Sequence, residues 1–344
     1  MSNASDQEHP LHQAAIAPGA GQKSRRRRKA RKLARAAVPM PAVPAPEEPQ
    51  QQRVVEAPLQ PPTPAGGLVG VFQRPWLLRL LVRREMAKRY SASLLGLLWS
   101  YIQPAIRFTV YYFVVIGLIR QHESVPQFAL HLFCGIVFTH YFSETASGGT
   151  RSIWANRSLV GRTALPREAF PVSSMLTAAL HTLPQLVLLA VVCALVGWTT
   201  DMVGIVSGLL GLAIVVTFSM AVALFFSAVN VYYRDFQNIV STLTQFMHFM
   251  VPMMYPVTRV MSVSHSHPVI YQIYMANPVA DAVILLQRFF WHGSVAANHQ
   301  LNASSKFPPH MLERGAIMLV VCLILLWIAQ KAFTRLEVKF PERL

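Results

Sequence analysis

Residues 203–229 read VGIVSGLLGLAIVVTFSMAVALFFSAV. An α-helix needs about 20 mostly apolar residues to cross the hydrocarbon core of a bilayer, and this run supplies them. Further runs near Leu97–Ile119, Val172–Gly197 and Gly315–Phe333 meet the same test. Two weaker runs, Phe128–Ser147 and Ile239–Val257, are interrupted by His131, His140, Gln245 and His248, and the second also holds Pro252 and Pro256. Polar or kinked helices persist in membranes where neighbouring helices cover them, so both count as spans. The chain reads as an all-α integral membrane fold with six transmembrane helices, which puts both termini on one side.

Composition and charge agree with this reading. Hydrophobic residues make up 53 % of the chain and charged ones 13 %, with a mean hydropathy of +0.36, unlike a water-soluble globular protein. The net charge is +16, and the basic residues fall almost entirely outside the apolar runs. Lys and Arg in short loops mark the cytoplasmic side. By that rule the inner segments carry Arg83, Arg84, Lys88 and Arg89, then Arg151, Arg157, Arg162 and Arg167, then Arg234, and last Lys331, Arg335, Lys339 and Arg343. The turns near 120–126 and 198–202 hold only Arg120, so both termini are expected in the cytoplasm. Cys134, Cys193 and Cys322 lie in separate apolar runs and read as small packing residues.

Residues 1–67 are rich in Pro, Ala and Gln and carry the cluster from Arg25 to Arg35. Such a segment buries too little apolar surface to offset its ordering entropy, so a disordered cytoplasmic tail is expected ahead of a membrane domain at 68–344. No apolar stretch follows the cluster before the Pro-rich run Pro39–Pro64, which argues against a cleavable signal peptide. The cluster reads as a ligand for anionic headgroups, a nucleic-acid contact, or a solvated tail that only enforces orientation. No nucleic-acid partner is expected for the chain as a whole.

Several chemistries find no support. There is no GxxxxGK[ST] run, and none of the lysines follows a glycine, so the chain has no phosphate-cradling loop of its own. HExxH, GxSxG and a closely spaced acidic pair of the kind that binds a metal–pyrophosphate are absent, which leaves a membrane enzyme or scaffold without a motif. His181 and His248 read as packed histidines, and no metal site is expected.

Other residues suggest roles on physical grounds. From Trp76 to Tyr90 an apolar start gives way to Arg83, Arg84, Lys88 and Arg89, the order expected of an N-terminal amphipathic helix at headgroup depth. Helical-wheel angles do not sort these residues onto two clean faces, and a solvated linker helix is the alternative. The polar loop Arg151–Pro171 carries Ile153, Trp154, Leu159, Val160, Leu165 and Phe170, and so is expected to pack against a partner or this protein's own inner face. Ser100, Gln103, Arg107 and Tyr111 share one face of the first span. Arg107 lies about 15 Å along that helix from Leu97, near mid-bilayer, where a cation facing lipid costs at least about 2.5 kcal/mol. It is read as a pore-lining contact, or as a buried partner of Glu144 or a second-span histidine. Phe108, Tyr111 and Tyr112 are expected to line a passage or to anchor span ends. Asn277 and Pro278 mark a helix start, continuing to a stop at Gly293; so short a helix is expected to re-enter or lie on the outer leaflet.

Three stretches together resemble the type-2 ABC exporter permeases, particularly the branch exporting lipid-linked polysaccharides such as O-antigen, capsule, teichoic acid or galactan. They are Arg83–Tyr90 running into Leu94–Pro104; Asn156–Val160 with Leu165–Pro171; and Val231–Phe236, followed by Pro252–Pro256 and Asn277-Pro278. The resemblance implies an interface helix at Arg83, Arg84, Lys88 and Arg89 and coupling to an ATPase through Asn156, Leu159, Val160, Arg167, Glu168, Arg234 and Asp235. It implies a channel lined by Gln103, Arg107, Phe108, Tyr111 and Tyr112, and an exit gate at Asn277, Pro278, Phe289 and Phe290 on short outer re-entrant helices. Arg107 departs from the family, which usually has an apolar residue there. The implied protein is a homodimer in the bacterial inner membrane with two copies of a separate ATPase that binds ATP and Mg, surrounded by membrane lipids. Export of a small drug, antibiotic or lipid by the same architecture is the alternative cargo.

Overall fold

The computed structural model describes residues 67–91, 96–114, 125–160 and 165–343. The basic tail and its expected disorder lie outside the described residues, as do residues 115–119 of the first expected span. Among the described residues every regular element is helical. In chain order these are α1 (Gly67–Phe72), α2 (Pro75–Tyr90), α3 (Trp99–Val114), α4 (Phe128–Ala155), α5 (Arg157–Val160), α6 (Ala169–Leu195) and α7 (Met202–Tyr232). There follow α8 (Phe236–Met250), α9 (Val257–Ser266), α10 (Pro268–Met275), α11 (Pro278–Phe289), α12 (Trp291–Ala297), α13 (Met311–Glu337) and α14 (Phe340–Arg343).

Helices α6, α7 and α13, of 27, 31 and 27 residues, are long and apolar enough to cross a membrane. The pair formed by α10 and residues 278–297 meets the same test together, although bent by 79° at its break. Helix α4 is 28 residues long and carries His131, His140, Glu144 and Arg151. It tolerates the first three because α6, α7 and α8 pack around it and most of its length is buried, so protein and not lipid meets them, whereas Arg151 is exposed near its C-terminal end. By contrast α13 fully buries only Gly315, Cys322, Ala329 and Phe333, a single stripe seated on α7, and turns the rest of its apolar surface outward. The three cysteines are buried and free, consistent with packing residues.

The run Ile239–Val257 does not form one continuous helix. Helix α8 ends at Met250, because Pro252 offers no N–H and holds Val251 extended. The chain then turns through residues 251–256 inside the protein. Its freed carbonyls find partners there: Gln287 Nε2 donates to Pro252 O at 2.9 Å, and His131 Nδ1 lies 3.2 Å from Met253 O. Irregular backbone at membrane depth survives only when so satisfied. Gly135 of α4 lets this turn approach, since a Cβ there would lie 2.3 Å from Met253 Cβ.

The helix begun at Asn277 is also different in detail. Asn277 Oδ1 accepts from the Val279 N–H at 3.0 Å, as a cap should, and Pro278 occupies the first turn. The helix breaks at Phe290 and resumes as α12 through Gly293, which therefore does not stop it. Gly293 instead permits contact with the α6–α7 turn, where a Cβ would sit 2.4 Å from Thr199 O. Residues Val279–Gln287 are all buried, so α11 is inserted in the bundle and does not lie on its surface.

Candidate functional site

The predicted polar face of α3 borders a partly open cavity of about 230 Å³ that it shares with α4 and α8, walled by Gln103, Arg107, His140, Ser143, Glu144, Thr244, Gln245 and His248 among others. Gln103 also borders a second cavity of about 350 Å³, shared with Arg89, Tyr90, Trp99 and His181. Ser100 belongs to the same face but is buried, its hydroxyl 2.7 Å from the Tyr90 hydroxyl. Phe108 and Tyr112 stack on each other at 5.5 Å and turn to Phe133 and Phe128 of α4. They and Tyr111 pack on the apolar core, and none of the three is among the residues bordering these polar cavities.

Arg107 is half-buried between α4 and α8. It lines the first cavity, and its Nη1 lies 3.1 Å from His248 Nε2 and 3.4 Å from His140 Nδ1. A guanidinium only donates, so both ring nitrogens must accept. That puts the His248 proton on Nδ1, which lies 3.1 Å from Thr244 O and donates to it. Neutral His140 then carries its proton on Nε2, a buried atom with no hydrogen-bond partner among the described residues. Glu144, one turn on from His140, is engaged by Arg89, whose Nη1 and Nη2 donate to its two carboxylate oxygens at 2.8 and 3.1 Å. This pairing is absent from the sequence reading, where Arg107 was the candidate for Glu144.

His140, Glu144 and His181 each bring one possible metal-ligand atom within 4.8 Å of the others. The surrounding charge does not suit a cation. Both Glu144 oxygens are held by one guanidinium, and another keeps the His140 Nδ1 in its accepting role. Arg89, Arg107 and the unpaired His140 N–H favour an anionic or hydroxyl-bearing ligand.

The segments expected to form the interface helix and the coupling loop touch each other. Helix α2 buries Leu77, Leu78, Leu81 and Val82 and packs on α6, while Trp76 and Arg83 face outward. Arg84 Nη1 and Lys88 Nζ both donate to Asn156 Oδ1, at 3.2 and 3.0 Å, and Asn156 Nδ2 donates to Ser152 O at 2.9 Å. Of the four basic residues assigned to headgroups, three thus hold the chain's own polar groups. The expected loop at 151 is helical as far as Ala155, followed by α5. Val160 is buried and Leu159 half-buried. Arg167 and Glu168 are buried against the last helices: the Arg167 guanidinium donates to Glu337 O, and Glu168 Oε1 accepts from Gln330 Nε2 at 3.0 Å. Arg234 and Asp235 are exposed, and the Arg234 guanidinium lies 3.8 Å over the Trp154 ring, with Arg157 at 4.8 Å from the same ring.

At the opposite end of α7, Asp201 caps the helix by accepting from the Gly204 N–H at 2.9 Å and pairs with Arg288 at 2.8 Å. Burial raises the cost of its charge, but the Gly204 N–H and Arg288 together outweigh it and hold the carboxyl below its usual range. Phe289 and Phe290 pack edge to face at 4.7 Å, and Phe289 rests on Trp198 at 5.0 Å.

Residues 77–290 match the family of ABC-2 type transporters. The chain belongs to the ABC-2 type transporter family. It is 27 % identical over 273 residues to the O-antigen export system permease protein RfbA of Myxococcus xanthus, covering 79 % of this chain and 96 % of that protein. A Klebsiella pneumoniae O-antigen export system permease protein RfbA is 25 % identical over 223 residues, covering 64 % and 82 %. The polysialic acid transport protein KpsM of Escherichia coli is 22 % identical over 236 residues, covering 66 % and 86 %. As an ABC-2 permease the chain is a transport subunit, a multi-pass membrane protein of helical spans.

Proposed function

We propose that this ABC-2 permease moves a lipid-linked polysaccharide across the bacterial cytoplasmic membrane, driven by a separate ATPase subunit that binds ATP and Mg. The observation that carries the reading is the cleft walled by Gln103, Arg107, His140 and Gln245, whose donors suit sugar hydroxyls and a phosphate-linked carrier. The names of its relatives support the same class of cargo. The cleft is open on one side, as half of a passage completed by a second copy would be, which favours a homodimer. Arg83, Arg157, Arg234 and Asp235 remain exposed near one end of the bundle and are the surface offered to the ATPase. The concentration of basic side chains at that end supports a cytoplasmic position for it and for both termini. Co-expression with candidate ATPases followed by detergent extraction tests the partnership. A stable complex carrying ATPase activity is expected; failure of every candidate to co-purify contradicts it.

A further inference from the structure

Asp281 in α11 is 2 % exposed, and its Oδ2 has no hydrogen-bond partner among the described residues. A carboxylate buried in a membrane domain is costly and calls for a partner. It lines a cavity of about 430 Å³ between α10, α11 and α13, shared with Gln272 and Arg314 at its polar end and with Ile317 and Val321 along one wall. Arg314 is the last charged residue before the uncharged run 315–330, so it stands at the membrane boundary. Its Nη2 donates to Gln272 Oε1 at 3.2 Å and its guanidinium lies 5.7 Å over the Tyr271 ring, which fixes the head group while further N–H donors remain. Ile317 and Val321 are 66 % and 41 % exposed on the outward face of α13, so the cavity opens toward acyl chains.

A ligand matching these walls carries an N–H-bearing cation for Asp281, an adjoining anion for Arg314, and alkyl chains for α13. We propose that this cavity is a binding site for one aminophospholipid of the phosphatidylethanolamine type, its ammonium on Asp281 and its phosphate on Arg314. The two charge pairs cancel, so neither protein charge stays unpaired in a medium that penalises it. A choline head group has no N–H to give, and a glycerol head group has no cation. The site is separate from the polar cleft and does not depend on the exported cargo.

Native mass spectrometry of the full-length protein tests this, after delipidation in detergent and addition of dioleoyl phosphatidylethanolamine, phosphatidylcholine or phosphatidylglycerol at equal concentration. One retained phosphatidylethanolamine per chain is expected, favoured about tenfold over either other lipid, as one charge-assisted hydrogen bond allows. Asp281→Asn is expected to abolish the preference. Ile317→Trp, which fills the wall from the lipid side without touching a charge, is expected to reduce retention. Equal retention of the three lipids by the wild type overturns the proposal, as does a preference that survives Asp281→Asn. If Asp281→Asn does not fold, Ile317→Trp decides: undiminished retention overturns the site.

Discussion

Arg107 is held by two histidines that reach it from sequence separations of 33 and 141 residues. Its cost in lipid makes it legible in the sequence as a residue that must face protein or water. Its partners are not legible, because a single periodic pattern cannot say which polar residue of another helix stands opposite. The same blindness gave Glu144 the wrong candidate partner, since Arg89 lies outside the spans in sequence and reaches in from α2. Arg107→Leu removes the donor from a cavity wall and leaves two ring acceptors unmet. We expect export to fall about tenfold or more, with normal membrane insertion, and Arg107→Lys to retain more activity; an assay of surface polysaccharide checks both. Asp201 offers a pH test. Folding holds its carboxyl below the unfolded value of about 3.9, so its contribution is present above that pH and is lost as the pH falls through the lower folded value. Asp201→Asn keeps a good cap but has no charge for Arg288. Melting in detergent is expected to depend less on pH below about 4 in this variant than in the wild type.

Among elements, the long uncharged helices are plain in the sequence because apolar length is all they need. Helix α4 is less plain, and its extension to Ala155 is hidden, because a helix wrapped by protein need not be apolar. The break after α8 follows from Pro252, but whether the turn lies in lipid or protein depends on the Gln287 and His131 partners, which no local pattern reveals. Small residues show the same limit. Gly208 and Gly211 make the close contact of α7 with α11. A Cβ at Gly208 would lie 2.8 Å from Phe289 Cγ, and one at Gly211 2.8 Å from Ala282 O, whereas Gly204 faces its own cap. Gly211→Ala is expected to destabilise by about 1–3 kcal/mol through overpacking on the α11 backbone. Gly70→Ala, with nothing within 4 Å of the added methyl, is expected to be neutral or to stabilise by about 0.5–1 kcal/mol. Comparison of the two melting temperatures in one detergent checks the contrast.

In the whole molecule, basic side chains on α2, α4 and α5 and at the α7–α8 corner gather at one end, and a polar cleft opens between α3, α4 and α8 beside them. The contacts of Arg84 and Lys88 with Asn156 join α2 to the end of α4. Under the proposed function, that link would carry motion from an ATPase at this end to the wall that holds Arg107. The decisive measurement is the fate of long lipid-linked glycan in cells depleted of this protein. Accumulation inside the cytoplasmic membrane, reversed by the wild-type chain and far less by Arg107→Leu, is the predicted result. Unchanged glycan export on depletion would contradict the assignment.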